Sequence, residues 1–210
     1  MGNIFTVLEL VRSRLNESIR DVADGADDWV ILSNIVEPGG APYDEAKDKV
    51  VMFLANIQHE TSISTYQRNK PVGNETYASV PAPLYINLYV LFMANFFNRN
   101  YAEGLSLISR VISFFQQNPV FTHQSLPSLD PSIDKLTFEM VNLDEVGLNY
   151  LLGLVGCKYL PTTYYKLRMI PFQTDAMEAE VPAVQGLRAP GSPRAVSGPA
   201  TDGDSDPKAG

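Results

Sequence analysis

The sequence predicts an α+β fold: a mostly antiparallel sheet of about four to five strands with helices packed on one face, followed by a disordered C-terminal tail. Three observations carry this. Apolar residues recur at three- and four-residue spacing in two stretches, others alternate strictly between apolar and polar, and beyond Phe172 there are five prolines, five glycines and no aromatic residue in 38 positions. That last composition cannot bury enough apolar surface to offset the entropy of ordering it. The expected division is a folded domain over 1–172 and a tail over 173–210.

Taken in order, Ile4, Leu8, Val11, Leu15 and Ile19 form one stripe of an opening helix, while Glu9, Arg12, Arg14 and Glu17 point elsewhere. DWVILSNIV reads as a short strand, EPGGAPYDEAKDK as loop chemistry, and VVMFLANIQHE as a second strand that is apolar on both faces in its first half. The polar stretch from Thr61 to Pro83 holds four helix- and strand-breaking residues, Pro71, Gly73, Pro81 and Pro83. A loop of that length in a compact domain is often functional. From Leu84 to Phe97 a third strand sets Ile86, Leu88, Val90 and Phe92 against Tyr85, Asn87, Tyr89 and Leu91, so both of its faces are sticky.

The next helix directs Leu105, Ile108, Ile112 and Phe115 to one side and stops at Asn118-Pro119, because proline lacks the amide and disfavours helix in the residue before it. IDKLTFEMVN reads as a one-sided strand. Asn142 followed by Glu145 resembles a capping box opening a last helix, which Gly156 can end. TYYKLRMI closes the domain as a strand.

Composition excludes several functions. With 24 acidic and 16 dispersed basic residues the net charge is −8, and phosphate contacts demand clustered cations, so no nucleic acid is expected. One cysteine excludes an internal disulfide. The start, MGNIFTVLELVRSRL, lacks the features of a secretory signal, which predicts a cytoplasmic product. The most apolar window, PLYINLYVLFMANFF, is 15 residues long, too short to span a bilayer. No glycine-rich phosphate loop, zinc spacing or nucleophile elbow occurs, so no catalytic residue, cofactor or metal site is expected and the protein reads as a non-enzyme. Cys157, at the end of an apolar helix, reads as a structural thiol. His59 and Glu60 are neighbours on a strand, face opposite ways, and read as surface residues.

Contact residues are the more informative candidates. If the strands pair as expected, Tyr85, Asn87, Tyr89, Lys135, Thr137, Tyr164, Lys166 and Arg168 gather into an aromatic and basic face on an acidic protein. Such a face is either an interface or an ordinary half-exposed sheet surface, and both readings stay open. In the long polar stretch, Arg68 and Lys70 are the candidate charged contacts.

Three stretches go further: PLYINLYVLFMANF, YAEGLSLISRVISFFQQNPVF, and IDKLTFEMVNLDEVGLNYLLGLVGCKYLPTTYYKLRM. Together they resemble the cap, or tail terminator, proteins of extracellular contractile injection systems, the phage-tail-like particles of bacteria, over roughly residues 8 to 170. The resemblance implies a homo-oligomeric ring, a hexamer, on the distal end of an inner tube and its contractile sheath. Its partners would then be itself, the tube protein and the sheath protein, with assembly in the cytoplasm before the particle is released or anchored. Ring closure needs two different patches per subunit, and an exposed strand edge could accept an extended arm from a sheath subunit. Two rival readings are a ligand-binding domain using the tyrosine-rich face and a soluble adaptor whose tail recruits a partner.

Overall fold

The structure, a computed structural model, describes residues 4–20, 28–37, 39–61, 68–71, 76–80, 84–97, 100–172 and 179–182. In chain order these form α1 (Ile4–Arg20), β1 (Val30–Leu32), β2 (Lys49–His59), β3 (Arg68–Pro71), β4 (Thr76–Val80), β5 (Leu84–Asn95), α2 (Tyr101–Gln117), β6 (Val120–Thr122), β7 (Lys135–Met140), α3 (Glu145–Val155), β8 (Thr162–Phe172) and β9 (Ala179–Pro182). Six strands make the main sheet in the order β1-β2-β5-β8-β7-β6, and β3, β4 and β9 make a second. Every neighbouring pair is antiparallel except β1 and β2. That parallel pair is possible because the connection between them is long enough to cross over.

The long strand β5 lies at the centre, and alternation divides its side chains between two cores. Ile86, Leu88, Val90 and Phe92 belong to one, against Val7, Leu8, Val11 and Leu15 of α1 and Leu107, Val111 and Phe115 of α2. Leu91 and Met93 belong to the other, with Val51, Tyr164 and Leu152 of α3. Helices therefore cover both faces. The expectation of helices on one face holds for α1 and α2 only, because β5 is apolar on both sides and each side needs cover.

Phe115 anchors α2 through aromatic contacts with three strands, its ring centroid 5.3 Å from Phe92, 4.5 Å from Phe138 and 4.7 Å from Tyr165. The helix buries Gly104, Leu107, Ile108, Val111, Phe114 and Phe115, and leaves Leu105 exposed, contrary to the sequence expectation. The cause is Gly104. A Cβ there would stand 2.9 Å from the Phe96 Cβ, so the helix seats this glycine against Phe96, just past the end of β5, and Leu105 turns outward.

Two local expectations are corrected. The polar stretch expected as one long loop contains the strands β3 and β4, paired from Arg68 with Val80 to Pro71 with Tyr77. The last helix is capped by Asp144, whose carboxylate accepts the Gly147 amide at 2.8 Å, in place of the Asn142 and Glu145 box. Its end is as expected: Gly156 adopts φ 78°, the left-handed conformation that glycine reaches without steric cost. Beyond Phe172, where the sequence reading closes the folded domain, β9 pairs with β4 from Thr76 with Pro182 to Ser79 with Ala179.

Candidate assembly surfaces

The face of the main sheet opposite α1 and α2 has an apolar half under α3 and a polar half beside it. Strand register builds the polar half. Tyr89 of β5 lies opposite Lys166 of β8, which lies opposite Glu139 of β7, and Arg168 lies opposite Thr137. The Lys166 ammonium stands 5.8 Å from the Tyr89 ring centroid, and the Tyr89 and Tyr164 rings are 5.7 Å apart. Burial, with Tyr89 adding to it, pushes the Tyr164 phenol above its ordinary value.

Glu60 joins this face because of a bulge. Leu54 lies opposite Val90, but Asn56 lies opposite Tyr89, so one extra residue on β2 reverses which side chains point to this side. Glu60 is 4% exposed, and its carboxylate accepts from Asn87 at 2.9 Å and from Arg168 at 3.3 Å. The sequence expectation of a surface glutamate is thus overturned by that bulge, while His59 is exposed as expected. Arg168 also donates to Glu139 at 3.0 Å, and Glu139 first, then Glu60, holds its guanidinium more firmly charged than usual.

The structure therefore brings Tyr89, Tyr164, Lys166 and Arg168 together on one face, but Arg168 is engaged within it. Tyr85 is half-buried at its end, where its carbonyl accepts the Glu60 amide at 2.8 Å. Arg68 and Lys70 occupy alternate positions of β3; their side chains lie outside the described residues. Cys157 is half-buried and unpaired, and burial pushes its thiol above the ordinary value. Among the described residues no three His, Cys, Asp or Glu side chains converge to hold a metal, and no helix is long and apolar enough to cross a membrane.

A second surface was missed in the sequence reading. α3 sends Leu148, Leu151, Leu152 and Val155 toward the sheet, yet of its residues only Leu152 is buried. On its outer side Val146, Tyr150 and Leu154, one turn apart, are 62%, 73% and 83% exposed. The signal was legible: a helix apolar all round implies cover on all sides. A third surface is the edge of β2, where β1 pairs only with Val50, Val51 and Met52, leaving a cleft of about 630 Å³ lined by Leu32, Asn34, Tyr43, Phe53 and Leu54.

The family model of the Pvc16 N-terminal domain matches residues 6–186. The chain belongs to the Pvc16 N-terminal domain family. The fold is similar to the sheath/tube terminator of an extracellular contractile injection system, PVC, seen by cryo-EM in the extended state. The TM-score is 0.62 at 12% identity, over 93% of this chain and 65% of that one. It is also similar to the tube-terminating cap of the anti-feeding prophage, with a TM-score of 0.55 at 12% identity, over 90% of this chain and 61% of that one. This chain thus spans under two thirds of the length of either relative, and at such identity the likeness is one of fold. No curated protein sequence matches it. The matched span of the Pvc16 N-terminal domain runs past Phe172 and takes in β9, so β9 lies inside the family's domain.

Proposed function

We propose that this chain is a structural terminator of a contractile injection particle. It forms a ring, a hexamer, on the distal end of the tube and sheath and stops their growth. It assembles in the cytoplasm, becomes part of a particle that is then released or anchored, and catalyses nothing. The observation that carries this reading is that its fold follows two terminators over 93% and 90% of its length. The physics is consistent with it: a stacked polymer end exposes the surface that receives the next ring, so a terminator matches that surface below and offers no copy of it above.

On this reading the polymer is met by the polar face bearing Tyr85, Tyr89, Lys166 and Arg168, and by the β3–β4 segment bearing Arg68 and Lys70. Lys166 and Tyr89 are the better placed pair of the first group, since Arg168 is held by Glu60 and Glu139. The test is electron microscopy of particles made with and without this protein. Tubes and sheaths of uncontrolled length are expected in its absence. An unchanged length distribution, with no density lost from the distal end, would reject the terminator role.

A further inference from the structure

We infer that the outer stripe of α3, Val146, Tyr150 and Leu154, is one half of the contact between neighbouring copies of this chain, and that the exposed start of α2, with Tyr101 and Leu105, is the other half. This rests on the ring reading above and names the surfaces that close the ring. The stripe is continued by Tyr159, 69% exposed, which flanks α3 in the same groove as Asn149 and Gly153. An aromatic side chain presents roughly 150–250 Å² and valine or leucine less, so at these exposures the four leave on the order of 500 Å² of largely apolar surface bare. That is the upper end of what a monomer tolerates and more than half of the ~800 Å² that one partner gives to a standard interface.

Gly153 points the same way. It sits inside a helix, where glycine is the least favourable residue after proline, and a Cβ there would meet nothing within 4 Å. Nothing within the described residues requires a glycine at that position. A neighbouring surface that approaches the helix closely there would.

The occupant follows from charge and shape. Two copies of an acidic chain, each at −8, meet best where charge is sparse, and Val146, Asn149, Tyr150, Gly153 and Leu154 are all uncharged, with Glu145 at one end of the groove and Lys158 beside Tyr159. A rotational contact needs a second, different patch on the same chain. The outer face of α2 supplies it: Tyr101 and Leu105 are 46% and 43% exposed. Beyond them, Ser109 and Ser113 turn their hydroxyls back onto the carbonyls of Leu105 and Ser109 at 2.8 and 2.9 Å. That face is therefore small, with its hydroxyls already satisfied, and it suits the bulky α3 stripe. The last segment of the chain, 183–210, is a poorer occupant, since Val184, Leu187 and Val196 are its only apolar side chains larger than alanine and proline.

The experiment uses the full chain, alone and with purified tubes, and reads oligomeric state by native mass spectrometry. Leu154→Glu and Leu105→Glu, with circular dichroism melts to verify folding, should each lower the ring population at least tenfold. Mixed one to one, they should recover a dimer and no ring, because each retains one good patch. Tyr150→Ser, a milder change, should weaken the ring in parallel with Leu154→Glu.

A wild-type chain that forms no closed oligomer in either condition would remove the ring reading and this inference with it. Rings that persist in Leu154→Glu would remove the inference alone. Loss with Leu154→Glu but not with Leu105→Glu would overturn the pairing of unlike patches. Normal rings that fail to bind tubes would reassign the stripe to the polymer, and loss of rings on deleting 183–210 would reassign it to that segment.

Discussion

The side-chain amide of Asn16 bonds both backbone groups of Val30: Nδ2 donates to the carbonyl at 2.8 Å and Oδ1 accepts from the amide at 2.9 Å. Val30 is in β1, at the edge of the main sheet. Asn16 reproduces there the two bonds that a further strand would make, so α1 closes this edge against strand addition. Both residues are buried. The sheet thus ends at β1 by construction, and strand addition on this side is left to the uncovered part of β2.

Asn16→Leu should therefore destabilise the domain by about 2–4 kcal/mol, since each buried backbone group left without a partner costs about 1–3 kcal/mol. Arg12 Nη1 reaches the same carbonyl only at 3.4 Å and is a weak substitute. Denaturant unfolding of the full chain measures this. A loss below ~1 kcal/mol would mean that other groups readily replace the amide.

The same α1–β1 junction has an acid-sensitive tie. Arg12 holds Asp28 at 2.6 Å, Arg20 also pairs with it, and these hydrogen bonds, Arg12 first, hold its carboxyl below the ordinary value. A depressed carboxyl contributes stability above its unfolded value, near 3.9, that is lost as pH falls through the folded value. Asp28→Asn should be less stable than wild type at pH 7, and the difference should shrink as pH is lowered toward ~3. Thermal melts across that range give the difference curve; a gap independent of pH would assign the loss to shape instead of charge.

Much of this architecture is legible in the sequence because the determining interactions are local. The stripe from Ile4 to Ile19, the alternation of β5 and the Gly156 stop are set by neighbours within a few residues, and the structure has all three. What was not legible depends on distant partners. Leu105 faces out because Gly104 must seat on Phe96. Glu60 turns inward because of a bulge near Ala55 whose only sign is the register against β5. β3, β4 and β9 are only four or five residues long, and the pairing of β4 with β9 joins residues about a hundred positions apart, beyond the reach of any periodicity. On the candidate surface, the meeting of Tyr89, Tyr164 and Lys166 followed from alternation, whereas the capture of Arg168 by Glu60 did not.

Glu60 is the acceptor shared by Asn87 and Arg168. Glu60→Leu should cost about 2 kcal/mol, because two donors lose one partner inside a largely buried site. Glu60→Gln keeps one acceptor oxygen and should cost about half as much. Equal effects from both substitutions, measured by chemical unfolding, would show that the charge matters and the hydrogen bonds do not.

Two truncations test where the folded unit ends. A chain ending at Pro182 should melt like the full chain, because residues 183–210 hold no aromatic residue and only Val184, Leu187 and Val196 as apolar side chains larger than alanine and proline. A chain ending at Phe172 removes β9 and leaves β3 and β4 as a two-stranded hairpin, which is marginal alone in water. Hydrogen exchange at β4 should therefore accelerate in the shorter chain while β5 is unchanged. Equal protection of β4 in both would place the boundary at Phe172, where the sequence reading sets it.

Arg68 and Lys70 are two cations within four residues of a chain whose net charge is −8. They stand two positions apart on β3, on either side of Asn69. Replacing both with glutamate should leave the melting behaviour within about 0.5 kcal/mol of wild type if they are surface charges. Against a tube or sheath end that offers carboxylates, the same change turns attraction into repulsion, chiefly slowing association, and the effect is greater at low salt. Co-sedimentation with assembled tubes and sheaths at low and physiological salt should show at least a tenfold loss of capture at low salt and a smaller one at high salt. Undiminished capture at both would remove β3 from the contact and shift the polymer interface to the face that holds Tyr89 and Lys166.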